Sequence, residues 1–332
     1  MIKPWQRILV AFTLIFGGGA VVAAQPNLPD IGAPVGEPQA MTSQDRSLAR
    51  DKLCTRCHDE YDGNVWTIYQ TPHGVRGDSR TPACQSCHGE SVAHRDNKGG
   101  TRPKPDVVFS GKAHSSADAQ NGECLACHQS GLRLHWSGSQ HQMEGLACSN
   151  CHKIHAPRDA VLSKQTQEQV CFTCHKTQRA ETHLISTHPI RALKLACSSC
   201  HNPHGSTGPK LLRMASVNET CYTCHAEKRG PFLWEHSPVV DDCTNCHTPH
   251  GSNNPPLLKA RVPWLCQECH SGDHANQVNS GANLPNGNIT TNTGLIGLGG
   301  TNPRGQMNAR ACLNCHVLVH GSNNPAGTKF QR

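Results

Sequence analysis

Apolar residues form neither a long helical stripe nor a strand-like alternation in this chain of 332 residues, and 30 glycines and 22 prolines interrupt its longer segments. Two helices are nevertheless predicted, over Thr42–Glu60 and over about Leu162–Leu184. Residues 276–306 are rich in Gly, Asn and Thr without a period, which indicates a long loop. The pattern therefore predicts short α-helices joined by irregular loops, with little or no β-sheet.

One continuous apolar run lies near the N-terminus, from residue 8 to residue 16. Lys3 and Arg7 precede it, and small residues lead to a predicted cleavage point after Ala24. This order is typical of a secretory signal peptide, although an uncleaved membrane anchor is the alternative. The Pro- and Gly-rich residues that follow predict a flexible leader up to residue 50.

Composition changes this picture, because only 36% of the residues are hydrophobic and 4% are aromatic. Globular proteins are usually close to half apolar, so the chain is short of material for a core. The charged fraction of 17% is too low, and 20 Cys and 23 His are too many, for a disordered polymer. Despite a formal charge of +7, no basic run is longer than Lys228-Arg229, so no nucleic-acid partner is expected.

All 20 cysteines belong to Cys-x-x-Cys-His motifs, of which the chain holds ten. This spacing is the attachment sequence of c-type haem: two thiols one turn apart reach the vinyl groups, and the next imidazole reaches the iron. A disulfide scaffold gives no reason for the histidines, structural zinc needs a second ligand pair, and iron–sulfur clusters need no such His. The sequence therefore predicts ten covalently bound haem c groups, whose rings supply the missing interior.

The predicted thioether bonds use both cysteines of every motif: Cys54, Cys57, Cys84, Cys87, Cys124, Cys127, Cys148, Cys151, Cys171, Cys174, Cys197, Cys200, Cys221, Cys224, Cys243, Cys246, Cys266, Cys269, Cys312 and Cys315. The predicted proximal iron ligands are the motif histidines His58, His88, His128, His152, His175, His201, His225, His247, His270 and His316.

A second repeat supplies candidates for the other axial position of each iron. Every pair of motifs has one His between its members and one shortly after the second member. These predicted distal ligands are His73, His94, His141, His155, His188, His204, His236, His250, His274 and His320. His114, His135 and His183 fall outside the pattern, and methionine is too rare to replace histidine generally.

For some distal histidines, the short distance along the chain to the nearest motif indicates which iron they cannot bind. His155, His204 and His250 each lie three residues after a motif His, too few to pass round a ring to its opposite face. They are therefore predicted to bind a different haem and tie neighbouring motifs together. His73, His204, His250 and His320 are each followed by Gly, which we interpret as room for the backbone beside a porphyrin or as an ordinary turn.

Pairs of motifs define five repeated units. The predicted organisation is a signal peptide (1–24), a leader (25–50) and a ten-haem domain (51–332) made of unit 1 (about 51–120), unit 2 (121–165), unit 3 (166–215), unit 4 (216–260) and unit 5 (261–332). Two protein ligands on each iron leave no position for a substrate, so this pattern predicts low-potential electron transfer and no enzymatic activity.

Three segments carry a resemblance to a known family: residues 220–231, residues 233–236 and residues 320–323. With the number of motifs and the order of the histidines, they make the chain resemble, from Cys54 to Arg332, the MtrA-type decahaem cytochromes, a family that includes the DmsE-type members. The fold implied is that of a multihaem cytochrome c, with short helices and loops around a chain of haems.

The resemblance also implies a location and partners. Such proteins are periplasmic, associate with the outer membrane through a β-barrel porin, and exchange electrons with periplasmic cytochromes. They conduct electrons to or from an extracellular iron or other metal species, and an extracellular multihaem cytochrome is a further candidate partner. The direction of electron flow stays open.

Other functions remain as alternatives to a conduit. A soluble periplasmic shuttle, or a donor subunit to a reductase, would use the same haems. A multihaem reductase would need a vacant iron position or a motif with Lys in place of His, and every motif here ends in His. A polymerising structural subunit is a weaker alternative.

Overall fold

A computed structural model describes residues 50–270 apart from 60, 63–64, 76–77 and 79, two strands at 288–291 and 294–297, and residues 311–331 apart from 326. The predicted signal peptide, residues 25–49 of the leader and His274 lie outside the described residues. Within the part described, none of the helices combines the length and the apolar composition that a bilayer span requires.

The helices are short, as the dense Gly and Pro predict. The α-helices are α1 (50–55), α2 (Cys84–His88), α3 (Val92–Arg95), α4 (Ala117–Leu125), α5 (Gln140–Met143), α6 (Cys148–Cys151), α7 (Gln167–Cys171), α8 (Lys176–Glu181), α9 (Cys197–Cys200), α10 (Val217–Tyr222), α11 (Ser237–Asp241) and α12 (Trp264–Gln267). Single 3-10 turns cover Val65–Gln70, Pro72–Gly74, Gly131–Arg133, Ala160–Leu162, Pro209–Leu211, Ala226–Lys228, Cys243–Asn245, Cys312–Asn314 and Gly327–Lys329. The expected class of short helices and irregular loops is confirmed.

The predicted loop at 276–306 is partly wrong, because it contains two strands. These are β1 (Asn288–Thr291) and β2 (Gly294–Gly297), which pair antiparallel with Ile289 opposite Ile296. The Gly and Asn content suggested a loop, whereas the β-branched residues of the segment favour strands.

The predicted helix over Leu162–Leu184 is wrong as a single element. It forms α7 and α8, and the chain leaves the helical conformation between them, at His175 (φ −82°, ψ 66°). The imidazole of His175 meets that of His141 in the preceding unit. The helix predicted over Thr42–Glu60 ends at residue 55 in the structure, and residues 42–49 lie outside the described part.

Side chains supply little of the interior. Among the described residues, the buried apolar ones are Ala83, Val107, Trp136, Ala147, Ala196 and Leu258, and they are outnumbered by 13 buried polar residues. Long apolar side chains such as Leu162 and Ile185 are instead 74% and 81% exposed. The described part of the polypeptide therefore has no apolar core of the size expected for its length, in agreement with the composition.

A buried polar side chain fastens the two motifs of a unit to each other. In unit 2, the Asn121 side chain donates to the Leu146 carbonyl (3.1 Å) and accepts from the Cys148 N–H (2.8 Å) at the start of α6. In unit 1, Asp51 accepts from the Cys84 N–H (3.3 Å). These bonds satisfy a helix N-terminal N–H that has no partner within its own helix.

Unit 4 repeats this arrangement with one more bond. The Asn218 side chain donates to the carbonyls of Val239 (2.9 Å) and Val240 (2.8 Å) and accepts from the Cys243 N–H (2.7 Å). In units 1, 2 and 4 the fastening residue lies three positions before the first Cys of the unit. The recurring polar position is visible in the sequence, but its role was not predicted from it.

Replacing Asn218 by Ala is expected to lower the free energy of unfolding by about 2 kcal/mol, because three hydrogen bonds at a buried position are lost. Thermal unfolding followed by circular dichroism would measure this as a lower midpoint. Asn245→Ala is the matched control, since that exposed side chain makes one bond, to the Pro238 carbonyl (3.0 Å). Equal midpoints for the two variants would contradict the fastening role.

Candidate functional site

The histidine side chains come together in pairs. Within the described residues, nine pairs of imidazole rings have centres 5.9–6.3 Å apart: His58–His94, His73–His128, His88–His155, His141–His175, His152–His204, His188–His225, His201–His250, His236–His270 and His247–His320. Each pair joins one motif histidine to one predicted distal histidine. Of the 20 predicted ligands, only His316 and the undescribed His274 are outside these pairs.

The spacing of the pairs fits an iron held between two imidazoles. A metal lies about 2 Å from an imidazole nitrogen, and that nitrogen lies about 1 Å from the ring centre, so two opposed rings stand about 6 Å apart. No group of three or more metal-ligating side chains occurs in the part of the chain that is described. Two ligands at this distance suit an iron whose other four positions belong to a porphyrin, and they do not suit structural zinc.

The pairs follow one rule along the repeat. The His between the two motifs of a unit meets the first motif of the next unit, as His141 meets His175. The His after the second motif meets the second motif of the preceding unit, as His204 meets His152. Each of the four junctions between units therefore holds two pairs. His58–His94 is the exception, because both rings belong to unit 1.

Backbone pairing holds these junctions in register. Ser186 of unit 3 and Ser252 of unit 4 exchange N–H···O bonds of 2.9 and 2.8 Å, and Trp234 of unit 4 and Ser322 of unit 5 exchange two of 2.9 Å. The loop that follows the second motif of one unit therefore lies against the preceding unit. This places the distal His of that loop beside a motif of its neighbour.

The same loops orient the distal imidazoles of the preceding unit. The Nδ1–H of His141 donates to the Pro203 carbonyl (2.8 Å), and that of His188 donates to the Pro249 carbonyl (2.7 Å). A proton on Nδ1 leaves the Nε2 lone pair free, which is the form in which imidazole binds a metal. Each loop thus carries one ligand and orients another.

Burial keeps several of these imidazoles neutral. Desolvation is the main cause that lowers the pKa of His88, His201 and His247, and the nearby imidazoles of other histidines lower these pKa values further. Desolvation likewise lowers the pKa of His204, with His152 as the next cause. Neutral imidazole is the state required for ligation.

Three of the glycines that follow distal histidines lie against the preceding unit, a contact that neither of our two interpretations included. A Cβ atom at Gly205 would lie 2.0 Å from the His135 carbonyl oxygen, and one at Gly251 would lie 1.9 Å from the Glu181 carbonyl oxygen. At Gly321 it would lie 2.1 Å from the Phe232 ring. The close approach is therefore made by the backbone or side chain of the preceding unit.

The cysteines lie side by side in chain order. Within units 2 and 4, the interaction with the Cys148 and Cys243 thiols raises the pKa of Cys124 and Cys221, respectively. The other units bring together Cys54 with Cys84, Cys171 with Cys197, and Cys266 with Cys312. Between units, the neighbours are Cys87 and Cys124, Cys151 and Cys174, Cys200 and Cys224, and Cys246 and Cys269. Each motif therefore neighbours the next one along the chain.

The three histidines outside the repeat form none of the described ring pairs. The Nδ1–H of His114 donates to the Ser115 carbonyl (2.9 Å), and His135 contributes its carbonyl oxygen to the contact with Gly205. His183 is exposed at the end of α8. These three are therefore not among the 18 histidines of the described pairs.

Known proteins share these features. The family profile described as Doubled CXXCH motif matches residues 188–230 and 236–275, and the profile described as Cytochrome c-type protein NrfB-like matches residues 84–167. Multiheme cytochrome MtrA of Shewanella baltica (strain OS185) is 45% identical over 284 residues, covering 84% of this chain and 80% of that protein. Cytochrome c-type protein NrfB of Haemophilus influenzae (strain ATCC 51907 / DSM 11121 / KW20 / Rd) is 33% identical over 165 residues, covering 43% of this chain and 70% of that protein.

Gly205→Ala is expected to lower the free energy of unfolding by about 1–3 kcal/mol, because φ is +111° and the new Cβ would press on the His135 carbonyl. Gly122→Ala is the matched control: this exposed glycine lies within α4 and has nothing within 4 Å of the added atom. The control should gain up to about 1 kcal/mol. Thermal unfolding midpoints that move in the same direction would contradict the packing role of Gly205.

Proposed function

Because the chain belongs to the family of MtrA multihaem c-type cytochromes, we propose that it conducts electrons across the outer membrane, within a β-barrel porin, along ten haems with two histidine ligands each. It is an electron-transfer protein rather than an enzyme, and its motifs bind haem c covalently. The observation that carries the proposal is the set of nine imidazole pairs at the spacing of a shared iron.

Each described pair is assigned to one iron, with the motif His as proximal ligand and its partner as distal ligand. Bound haem supplies one-electron chemistry between ferric and ferrous iron. With haem bound, the paired imidazoles would be the two protein ligands of the iron and would exclude a substrate from the metal. His316 is the histidine of the tenth motif and His274 is a predicted distal ligand of the same unit, so we assign both to the tenth iron.

Chain order gives the path for electrons. Each motif neighbours the next one along the chain, which supports a single series of attachment points from unit 1 to unit 5. The polypeptide then acts by spacing neighbouring irons and by setting their potentials through the axial ligands and their hydrogen-bond partners. A series without branches suits transport between two separate ends.

Location and partners follow the same proposal. The protein is periplasmic and enters an outer-membrane porin, because a bilayer about 40–45 Å thick with its headgroups can be crossed by polar backbone only inside a shielding protein. Periplasmic electron-transfer cytochromes meet one end. The other end meets an extracellular iron or other metal species, or an extracellular multihaem cytochrome.

A second candidate is a soluble periplasmic shuttle or a donor subunit to a reductase. The match of residues 84–167 to the NrfB-like profile favours it, because this match covers only part of the series of motifs. Such a segment needs no barrel to hold its histidine pairs. The two candidates differ in whether the chain binds a porin.

His155→Ala is expected to convert one haem from low spin to high spin, because His88 would keep a proximal role without a distal partner. Electron paramagnetic resonance of the oxidised protein would detect the new signal, and pyridine haemochrome assay should still return about ten haems. His114→Ala is the matched control and should leave the spectrum unchanged. An entirely low-spin His155→Ala protein would refute this ligand assignment.

Reconstitution in liposomes tests the conduit. With the barrel partner present, an encapsulated reduced dye should become oxidised by an iron(III) chelate outside the vesicle, and neither protein alone should support this exchange. Stable co-purification with the barrel is expected. Failure to bind the barrel, with haem content intact, would favour the soluble shuttle.

A further inference from the structure

The second-motif histidines provide five equivalent positions for comparison. In four units the Nδ1–H donates to a backbone carbonyl: His88 to Val107, His201 to Lys210, His247 to Pro256 and His316 to Lys329. In unit 2 the partner of His152 is instead a carboxylate oxygen, Oδ2 of Asp159, at 2.6 Å. One position in a repeated series therefore carries a negative charge that its equivalents lack.

Asp159 is held in place for this contact. Its other oxygen, Oδ1, accepts from the N–H groups of Lys153 (3.3 Å) and Val161 (3.4 Å). The side chain is only 12% exposed, so solvent screens its charge little. Two hydrogen bonds that do not involve His152 therefore hold the carboxylate beside its imidazole.

The distal ring of the same pair has a different environment. The Nδ1 atom of His204 is buried and has no hydrogen-bond partner among the described residues. The two imidazoles of this pair therefore differ, one polarised by a carboxylate and the other not. An iron held between these two rings would therefore have a carboxylate beside one of its two imidazole ligands and none beside the other.

A second carboxylate acts on the distal side of another pair. Oε2 of Glu181 lies 3.1 Å from Nδ1 of His250, whose ring is paired with His201. Glu181 ends α8 in unit 3, so it reaches His250 across the junction with unit 4. At the junction between units 1 and 2, the equivalent distal His155 donates instead to the Val65 carbonyl (3.1 Å).

We propose that Asp159 and Glu181 are redox-positioning residues that lower the midpoint potentials of the irons held by His152–His204 and by His201–His250. The inference rests on the ligand assignment under Proposed function. A carboxylate that accepts the Nδ1 proton makes the imidazole a stronger donor, and its charge stabilises ferric iron over ferrous iron. A backbone carbonyl makes the same hydrogen bond without the negative charge.

The consequence is an uneven series of potentials. These two irons are the fourth and sixth by motif order, and the fifth lies between them, with its distal His141 donating from Nδ1 to the Pro203 carbonyl. All the motifs supply the same kind of proximal ligand, so the motifs alone would give their irons similar potentials. The neighbours of Nδ1, rather than the motifs, differentiate the haems.

Asp159→Asn tests the proposal in the intact, haem-loaded protein. The amide keeps an oxygen that can accept hydrogen bonds and can still cap the turn at Ala160–Leu162, but it removes the charge. Redox titration followed by electron paramagnetic resonance should show one low-spin signal moving to a more positive midpoint potential, with the others unchanged. Glu181→Gln should move a different single signal, and Asp159→Glu should restore the wild-type value at least in part.

Asp78→Asn is the matched control, because that partly exposed carboxylate bonds to Arg80 and its described hydrogen bonds and ion pairs include no imidazole. Unchanged potentials in both Asp159→Asn and Glu181→Gln, or uniform small shifts like those of Asp78→Asn, would overturn the proposal. Should Asp159→Asn lose haem, Glu181→Gln alone decides. A wrong ligand assignment would show separately, as a His204→Ala protein without a high-spin signal.

Discussion

The meeting of two imidazoles from different units, which we propose to hold one iron, is the interaction on which the rest of this structure depends. Eight of the nine described histidine pairs join one unit to the next, two at each junction. With so few buried apolar side chains, the polypeptide has little else to hold five units in order. Cofactor attachment and tertiary structure are therefore one process, as in other metal-coupled folds.

Around this interaction, the backbone does the positioning that a hydrophobic core does elsewhere. Short bridges such as Ser186–Ser252 set the register between units, while Asn121 and Asn218 fasten the motifs within a unit. These are polar contacts in partly buried places, where an unpaired group is costly and a wrong register is penalised. The result is a scaffold specified by hydrogen bonds and completed by porphyrins.

The repeated units give the haem sites similar surroundings, whereas an electron carrier also requires sites that differ in potential. The five second-motif imidazoles have equivalent places, yet Asp159 replaces a carbonyl beside one of them. Single residues outside the motifs can thus vary the potentials without disturbing the order of the haems. Because the motifs set the order and the other residues set the potentials, one module can be repeated along a chain while each repeat has its own midpoint potential.

The sequence by itself determined the chemistry of this protein: the covalent spacing of Cys-x-x-Cys-His and the period of the distal histidines depend on local chain geometry, which is readable without a fold. It also predicted that His155, His204 and His250 reach beyond their own motifs. It missed the strands at 288–297, the break at His175 and the carboxylate partners. Only the tertiary structure decided which imidazoles meet, because partners such as His201 and His250 are brought together by contacts between units that no local pattern encodes.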